Sequence, residues 1–199
     1  ETSLIARAAS DGGRSNVSQE RPNHMSKFSI ASAAAAYMLL SGTAAFAGEG
    51  HGKTAAGEPG KATDVTTTIE VVMYDSYYEP ETISVKEGET VRFVIKNAGE
   101  FVHEFNIGTA KMLADHAPEM AMMVEHGVLE ADKINHDVAK KMQASMGHGM
   151  HEMANAALLE PGKTGEVIWK FPEHAELEFG CTVPGHYEAG MVGEFSLSH

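Results

Sequence analysis

The chain has 199 residues and a formal net charge of −13, with 15 basic and 28 acidic side chains. That balance argues against nucleic acid as a partner, since phosphate contacts need a basic face. A single cysteine excludes an intrachain disulfide, and an unpaired thiol in an oxidising compartment must be buried or metallated to be safe.

Residues 1–24 are polar, carry no periodicity and read as a non-native or mis-annotated leader. Residues 25–47 read as a secretory signal. Met25-Ser26-Lys27 is a short positive start, an apolar alanine-rich stretch runs to Ala45, and Ala45-Phe46-Ala47 is a small-residue cleavage site. Cleavage is expected after about Ala47, leaving no membrane insertion and a periplasmic protein. The run is too short and too interrupted, by Ser32, Ser41 and Gly42, to serve as a membrane span. Residues 48–64, rich in Gly, Ala, Thr and Lys, read as a flexible leader, and its His51 as a solvated side chain.

From Thr66 the composition shifts to strand formers. Thr66 to Tyr74 is a predicted strand. Asp75 to Pro80 is a turn-like connection, and Ile83 and Val85 alternate with polar neighbours. Lys86-Glu87-Gly88-Glu89 is a tight turn, after which Val91, Phe93 and Ile95 form one apolar face; this pair of strands reads as a hairpin-like unit. Phe101 to Ile107 is another strand and carries His103.

Residues 109–158 break the β rhythm and read as a helical insertion. Thr109 caps a predicted helix beginning at Ala110, with Met112, His116, Met120 and Met123 on one face. Pro118 is expected to break or restart this helix, and Gly127 to end it. A second helix is predicted from about Ala131 to Met146, with Ile134, Val138 and Met142 on one face. The insertion holds eight Met and five His. The stripe Met112, Met120, Met123 and Met142 reads as packing. The run Met146, His148, Met150, His151 and Met153 has no clean helical face and is a candidate for auxiliary metal binding, because clustered thioether and imidazole donors suit copper.

Strands resume at Gly165 to Phe171, then Leu177 and Phe179 lead to Cys181, and Val192 to Leu197 is the last. Many short strands with turn signals predict an all-β sandwich with a helical insertion. Between the last two strands, Cys181-x4-His186-x4-Met191 sets a thiol, an imidazole and a thioether on one short loop. Soft sulfur suits Cu(I) and imidazole suits Cu(II), so a site serving both passes one electron. Pro184-Gly185 supplies the bend. A second imidazole must come from elsewhere, and His103 is the best placed.

These residues resemble the cupredoxins, Greek-key β-sandwiches that carry a type 1 copper, over about Thr66 to His199. The resemblance implies a cupredoxin domain at 65–199 with residues 109–158 inserted. It also implies a metal set of His103, His186 and Cys181 with Met191 as a long axial ligand, and one type 1 copper per chain. The run from Glu70 to Tyr74, the run Val102 to Gly108 and the Met/His-rich insertion resemble periplasmic members tied to bacterial copper tolerance. Azurin-like members carry Asn or Ser after the first histidine, where it ties the two ligand loops together. Glu104 stands there in this chain, which puts that tie in question. Three roles are implied: copper tolerance, electron carriage to a redox partner protein, or copper storage and delivery through the insertion. An enzyme is not expected, since no His-x-His pair occurs and the chain holds one such domain.

Overall fold

The structure, a computed structural model, describes residues 54–146 and 153–199. Ten strands form two five-stranded sheets packed face to face. They are β1 (Glu58–Pro59), β2 (Thr67–Met73), β3 (Tyr78–Glu79), β4 (Thr82–Lys86), β5 (Thr90–Asn97), β6 (His103–Gly108), β7 (Ala156–Leu159), β8 (Thr164–Lys170), β9 (Glu178–Gly180) and β10 (Val192–Ser198). One sheet has the order β1-β8-β5-β2-β3 and the other β4-β10-β9-β6-β7. Helices α1 (Ala110–Glu125) and α2 (His136–Met146) lie between β6 and β7. The architecture is an all-β sandwich with a helical insertion. No helix among the described residues is long and apolar enough to cross a membrane.

Period-two patterning sets each strand's inward face. Val91, Phe93 and Ile95 of β5, Ile83 and Val85 of β4, and Val167 and Trp169 of β8 are all buried between the sheets. Aromatic rings fill the centre, with centroids 5.0 Å apart for Tyr78–Phe179, 5.3 Å for Phe93–Phe105 and 5.0 Å for Phe179–Phe195. Separations in this range suit edge-to-face and tilted packing. Cys181 and Met191 belong to the same cluster.

β4 and β5 are not a hairpin. β4 pairs in parallel with β10, whereas β5 pairs in parallel with β2 and antiparallel with β8. The Lys86–Glu89 turn therefore carries the chain from one sheet to the other. The stretch read as a flexible leader is built into the sandwich over its described part, 54–64. β1 pairs with β8, Ala56 is fully buried, and the Trp169 indole N–H donates to the Ala56 carbonyl at 2.8 Å. A buried indole donor needs an acceptor, and this segment supplies it.

The Thr109 hydroxyl accepts from the Met112 amide at 3.2 Å, as an N-cap should. α1 then runs unbroken through Pro118. Both Pro118 and Ala114, whose carbonyl loses its helical partner, are exposed, so the released group lies on a face open to solvent rather than in the core. At the far end the Gly127 amide bonds Val124 O and the Val128 amide bonds Met123 O, a Schellman closure with Gly127 at φ 69°. α2 starts at His136, five residues later than expected. Residues 131–135 instead form a turn closed by a Leu129–Ile134 bridge, and Asn135 caps the helix by accepting from the Val138 amide at 3.2 Å. The tail of the expected insertion is also a strand, β7, paired with β6.

Met120, Met123 and Met142 pack with Val102, Val128, Leu129 and Ile134 into a second apolar cluster, so this part of the methionine stripe is core. Burial of each such side chain contributes roughly 1.5–3 kcal/mol. The insertion also explains why β6 is buried at all six positions. Phe105 and Ile107 face the sandwich core, whereas Glu104 and Asn106 point the other way, toward the inserted residues.

Candidate metal centre

Cys181 follows directly on β9, and its amide donates to the Met191 carbonyl at 3.1 Å. The Met191 amide in turn donates to the His186 carbonyl at 3.0 Å. The loop between is closed by bonds from His186 N to Val183 O and from Gly190 N to Tyr187 O, each 3.0 Å. Gly185 and Gly190 have φ of 87° and 99°, a region that glycine enters without steric cost. The bend expected at Pro184-Gly185 is therefore made by Gly185.

His103 opens β6, which pairs with β9 through Asn106 and Gly180. That register brings the start of one strand beside the end of the other. His103 Nδ1 lies 3.2 Å from His186 Nδ1, and Cys181 Sγ lies 3.3 Å from His186 Nδ1. One donor atom from each of the three residues falls within 4.8 Å of the other two. Met191 is buried beside them. His103, Cys181 and Met191 are fully buried and His186 is half-exposed, next to the exposed ring of Phe101 at a centroid distance of 6.5 Å.

Two supporting residues carried no motif in the sequence. Asp75, in the β2–β3 connection, has its Oδ1 3.1 Å from His103 Nε2 and accepts from the Glu100 amide at 2.7 Å. A carboxylate can only accept, so it keeps the His103 proton on Nε2 and leaves Nδ1 as a lone-pair donor facing His186. Burial raises the Asp75 pKa, but hydrogen bonds from His103 and from the Glu100 and Phe101 amides outweigh it, and the net shift is downward. Asn97, fully buried, donates to the Phe101 and Leu159 carbonyls at 2.7 and 2.8 Å and fixes the turn that leads into His103.

The tie put in question by Glu104 is present, made by a carboxyl group. The Thr182 hydroxyl donates to Glu104 Oε2 at 2.6 Å, and the Glu104 amide donates to Cys181 Sγ at 3.3 Å. Glu104 Oε1 lies 3.2 Å from His116 Nε2, and His116 Nδ1 lies 3.3 Å from Glu119. Helix α1 thus closes the bond set of a carboxyl group that is only 3% exposed. A longer side chain than Asn or Ser needs this further partner.

Burial pushes the Cys181 thiol up to about 12, with the charge of Glu104 adding to it. Burial also lowers the His103 pKa, against the opposing effect of Asp75, and lowers that of His186 with help from His103. Both imidazoles are therefore neutral donors near pH 7, as metal ligation requires. The run from Met146 to Met153 lies outside the described residues, save for Met153 and the backbone of Met146. Half-buried Met153 lines a cavity with His116, Glu119, Met120 and Met123.

A two-sheet sandwich whose two histidines and cysteine meet at one end is the arrangement of the cupredoxins. The family described as "Cupredoxin-like domain" matches residues 31–119. The chain is 43% identical over 169 residues to the copper-resistant cuproprotein CopI of Pseudomonas aeruginosa, covering 80% of this chain and 91% of that one. It is 39% identical over 139 residues to CopI of Rubrivivax gelatinosus, covering 69% and 70%. Among solved structures, reduced auracyanin from Roseiflexus castenholzii aligns over 68% of this chain and 99% of its own, with 23% identity and a TM-score of 0.45. The chain belongs to the cupredoxin family, and its sequence likeness within that family runs to the copper-resistant cuproproteins.

Proposed function

We propose that this chain is a periplasmic type 1 copper protein whose Cu(I)/Cu(II) chemistry serves copper tolerance. His103, Cys181 and His186 would hold the metal, with the buried thioether of Met191 as a further, weaker donor. The observation that carries this reading is the convergence of His103 Nδ1, His186 Nδ1 and Cys181 Sγ. Ligand atoms bound at about 2.0–2.3 Å with tetrahedral to trigonal angles stand roughly 3.3–3.7 Å apart. The separations of 3.2 and 3.3 Å fit that spacing with little adjustment. The donor set, two imidazoles with a thiolate and a thioether, suits both oxidation states of copper. The likeness to copper-resistant cuproproteins at 43% identity supports tolerance as the role.

Copper bound there supplies one-electron redox chemistry. The protein's part is to hold the donors still. Asp75 fixes the His103 tautomer, Glu104 ties the Cys181 loop to β6, and the aromatic core excludes water from the buried face. Cys181 must lose its proton to ligate, and a thiol held at about 12 does so only when a metal displaces the proton. His186 is the one half-exposed member of the set and offers the edge through which electrons reach a partner. Residues 25–47 direct export and are removed at about Ala47, and residues 65–199 form the copper domain. No substrate chemistry is assigned, and the protein is read as a carrier or protectant rather than an enzyme.

The Cu(II)-loaded chain should show an intense visible thiolate-to-copper band at one copper per chain, and Cys181→Ser should abolish it. A band that survives this substitution would sink the assignment. In cells, deletion that produces copper sensitivity supports tolerance, whereas a respiratory defect at low copper supports a dedicated electron carrier.

A further inference from the structure

Three chain segments far apart in sequence meet at the other end of β10. Glu87 follows β4, His174 lies between β8 and β9, and His199 follows β10. Seven residues of β10 separate this point from the Cys181 loop, about 20 Å along the strand. His174 Nδ1 lies 3.3 Å from Glu87 Oε1, and His199 Nδ1 lies 2.9 Å from Glu87 Oε2. The two imidazole rings stand 5.3 Å apart between centroids. One donor atom from each residue falls within 4.8 Å of the others, the same convergence seen at His103, Cys181 and His186.

The backbone is arranged around this cluster. The Glu87 amide donates to the Ser198 carbonyl at 2.9 Å, and the His174 amide donates to Glu87 Oε1 at 3.0 Å. His174 adopts φ 54°, the one positive φ outside glycine among the described residues. A non-glycine residue in that region carries a backbone cost. Two exposed histidine–carboxylate pairs return little stability by themselves, because solvent screens them. The Glu87 side chain is 13% exposed while the rings are 74% and 80% exposed, so the carboxylate is fixed and the imidazoles open to solvent. Glu87 and His174 line a cleft together with Glu176, Glu178, Glu194 and a single basic residue, Lys111, a field that draws cations.

We propose that Glu87, His174 and His199 form a second metal site, for a divalent ion of borderline softness such as Cu(II) or Zn(II). Two imidazoles with a carboxylate and no sulfur select against Cu(I), and at such a set Cu(II) binds most tightly of the common divalent ions. Donors about 2.0–2.2 Å from one ion stand roughly 2.9–3.4 Å apart in octahedral to tetrahedral geometry, which matches the two nitrogen–oxygen separations. Exposure of both rings leaves the remaining positions to water. The site binds the oxidised ion at the pole opposite the thiolate centre.

The test is a Cu(II) titration of the full chain, reading bound copper per chain and the paramagnetic resonance spectrum. Past saturation of the thiolate band, a further equivalent should appear with a nitrogen–oxygen ligand signature. The double variant His174→Asn, His199→Ala should lose that equivalent and keep the thiolate band; Asn is chosen because it tolerates φ above zero. Equal copper counts for the double variant and the parent chain would overturn the proposal. The Met146 to Met153 run is present in both and cancels. A Zn(II) titration in a Cys181→Ser background separates this claim from the copper reading above. There the double variant should again bind one Zn(II) fewer, whether or not the thiolate centre is real, and an unchanged Zn(II) count would also overturn the site. Glu87→Gln should weaken Zn(II) binding severalfold in that background, and unchanged affinity would remove the carboxylate from the set.

Discussion

At the residue scale the centre depends on side chains that do not themselves face the metal position. Asp75 holds His103 through its outer nitrogen, and Gly99 packs against that pair so closely that a Cβ there would sit 2.8 Å from His103 Nε2. Only glycine leaves room for the carboxylate and the ring to meet. Asp75→Asn keeps an oxygen acceptor in place but removes its charge and its ability only to accept. Copper affinity, measured by competition with a chelator, should fall about tenfold, toward the lower end of what loss of such an orienting partner costs. Unchanged affinity would show that His103 is held by packing alone. Neither Asp75 nor Asn97 was legible in the sequence, because Asp75 meets His103 across 28 residues, Asn97 reaches the Leu159 carbonyl across 62, and neither lies in a recurring motif.

At the element scale the insertion does two things. Its methionines make a second apolar cluster, and one histidine on its first helix reaches the carboxyl group beside the cysteine. The 3.6-residue period made the first role readable: Met120 and Met123 on one helix, and Ile134 with Met142 at the other, all proved buried. The expected break at Pro118 did not occur, because propensity is a local cost and the buried residues Leu113, Met120 and Met123 hold the helix on both sides of it. Pro118→Ala should restore the hydrogen bond to the Ala114 carbonyl without disturbing a packed surface. Stability should rise by roughly 1–3 kcal/mol, read from denaturant unfolding. A destabilised variant would mean that the ring packs against something that its exposure does not suggest.

At the scale of the whole molecule the helical insertion and the sandwich are coupled through one titrating group. Burial lowers the His116 pKa, but Glu104 and Glu119 outweigh it, and the net position is above the ordinary 6.5. The native state therefore binds this proton more tightly than the unfolded chain does. Its stabilisation is full below pH 6.5 and is lost as pH rises through the raised native value. The melting temperature of the parent chain should fall relative to that of His116→Gln between about pH 6 and about pH 8. Parallel profiles would show that the ring is not charged in the native protein. The sequence by itself determined the strand-rich class, the inserted helices and the Cys181-x4-His186-x4-Met191 loop, since alternation, helical period and short-range spacing are properties of contiguous residues. Only the tertiary structure decided which strands share a sheet, that residues 54–64 belong to the sandwich, how Glu104 is partnered, and that Glu87, His174 and His199 converge. Strand pairing and side-chain partnership are settled by burial summed over the whole chain, and no local window contains both halves of such a contact.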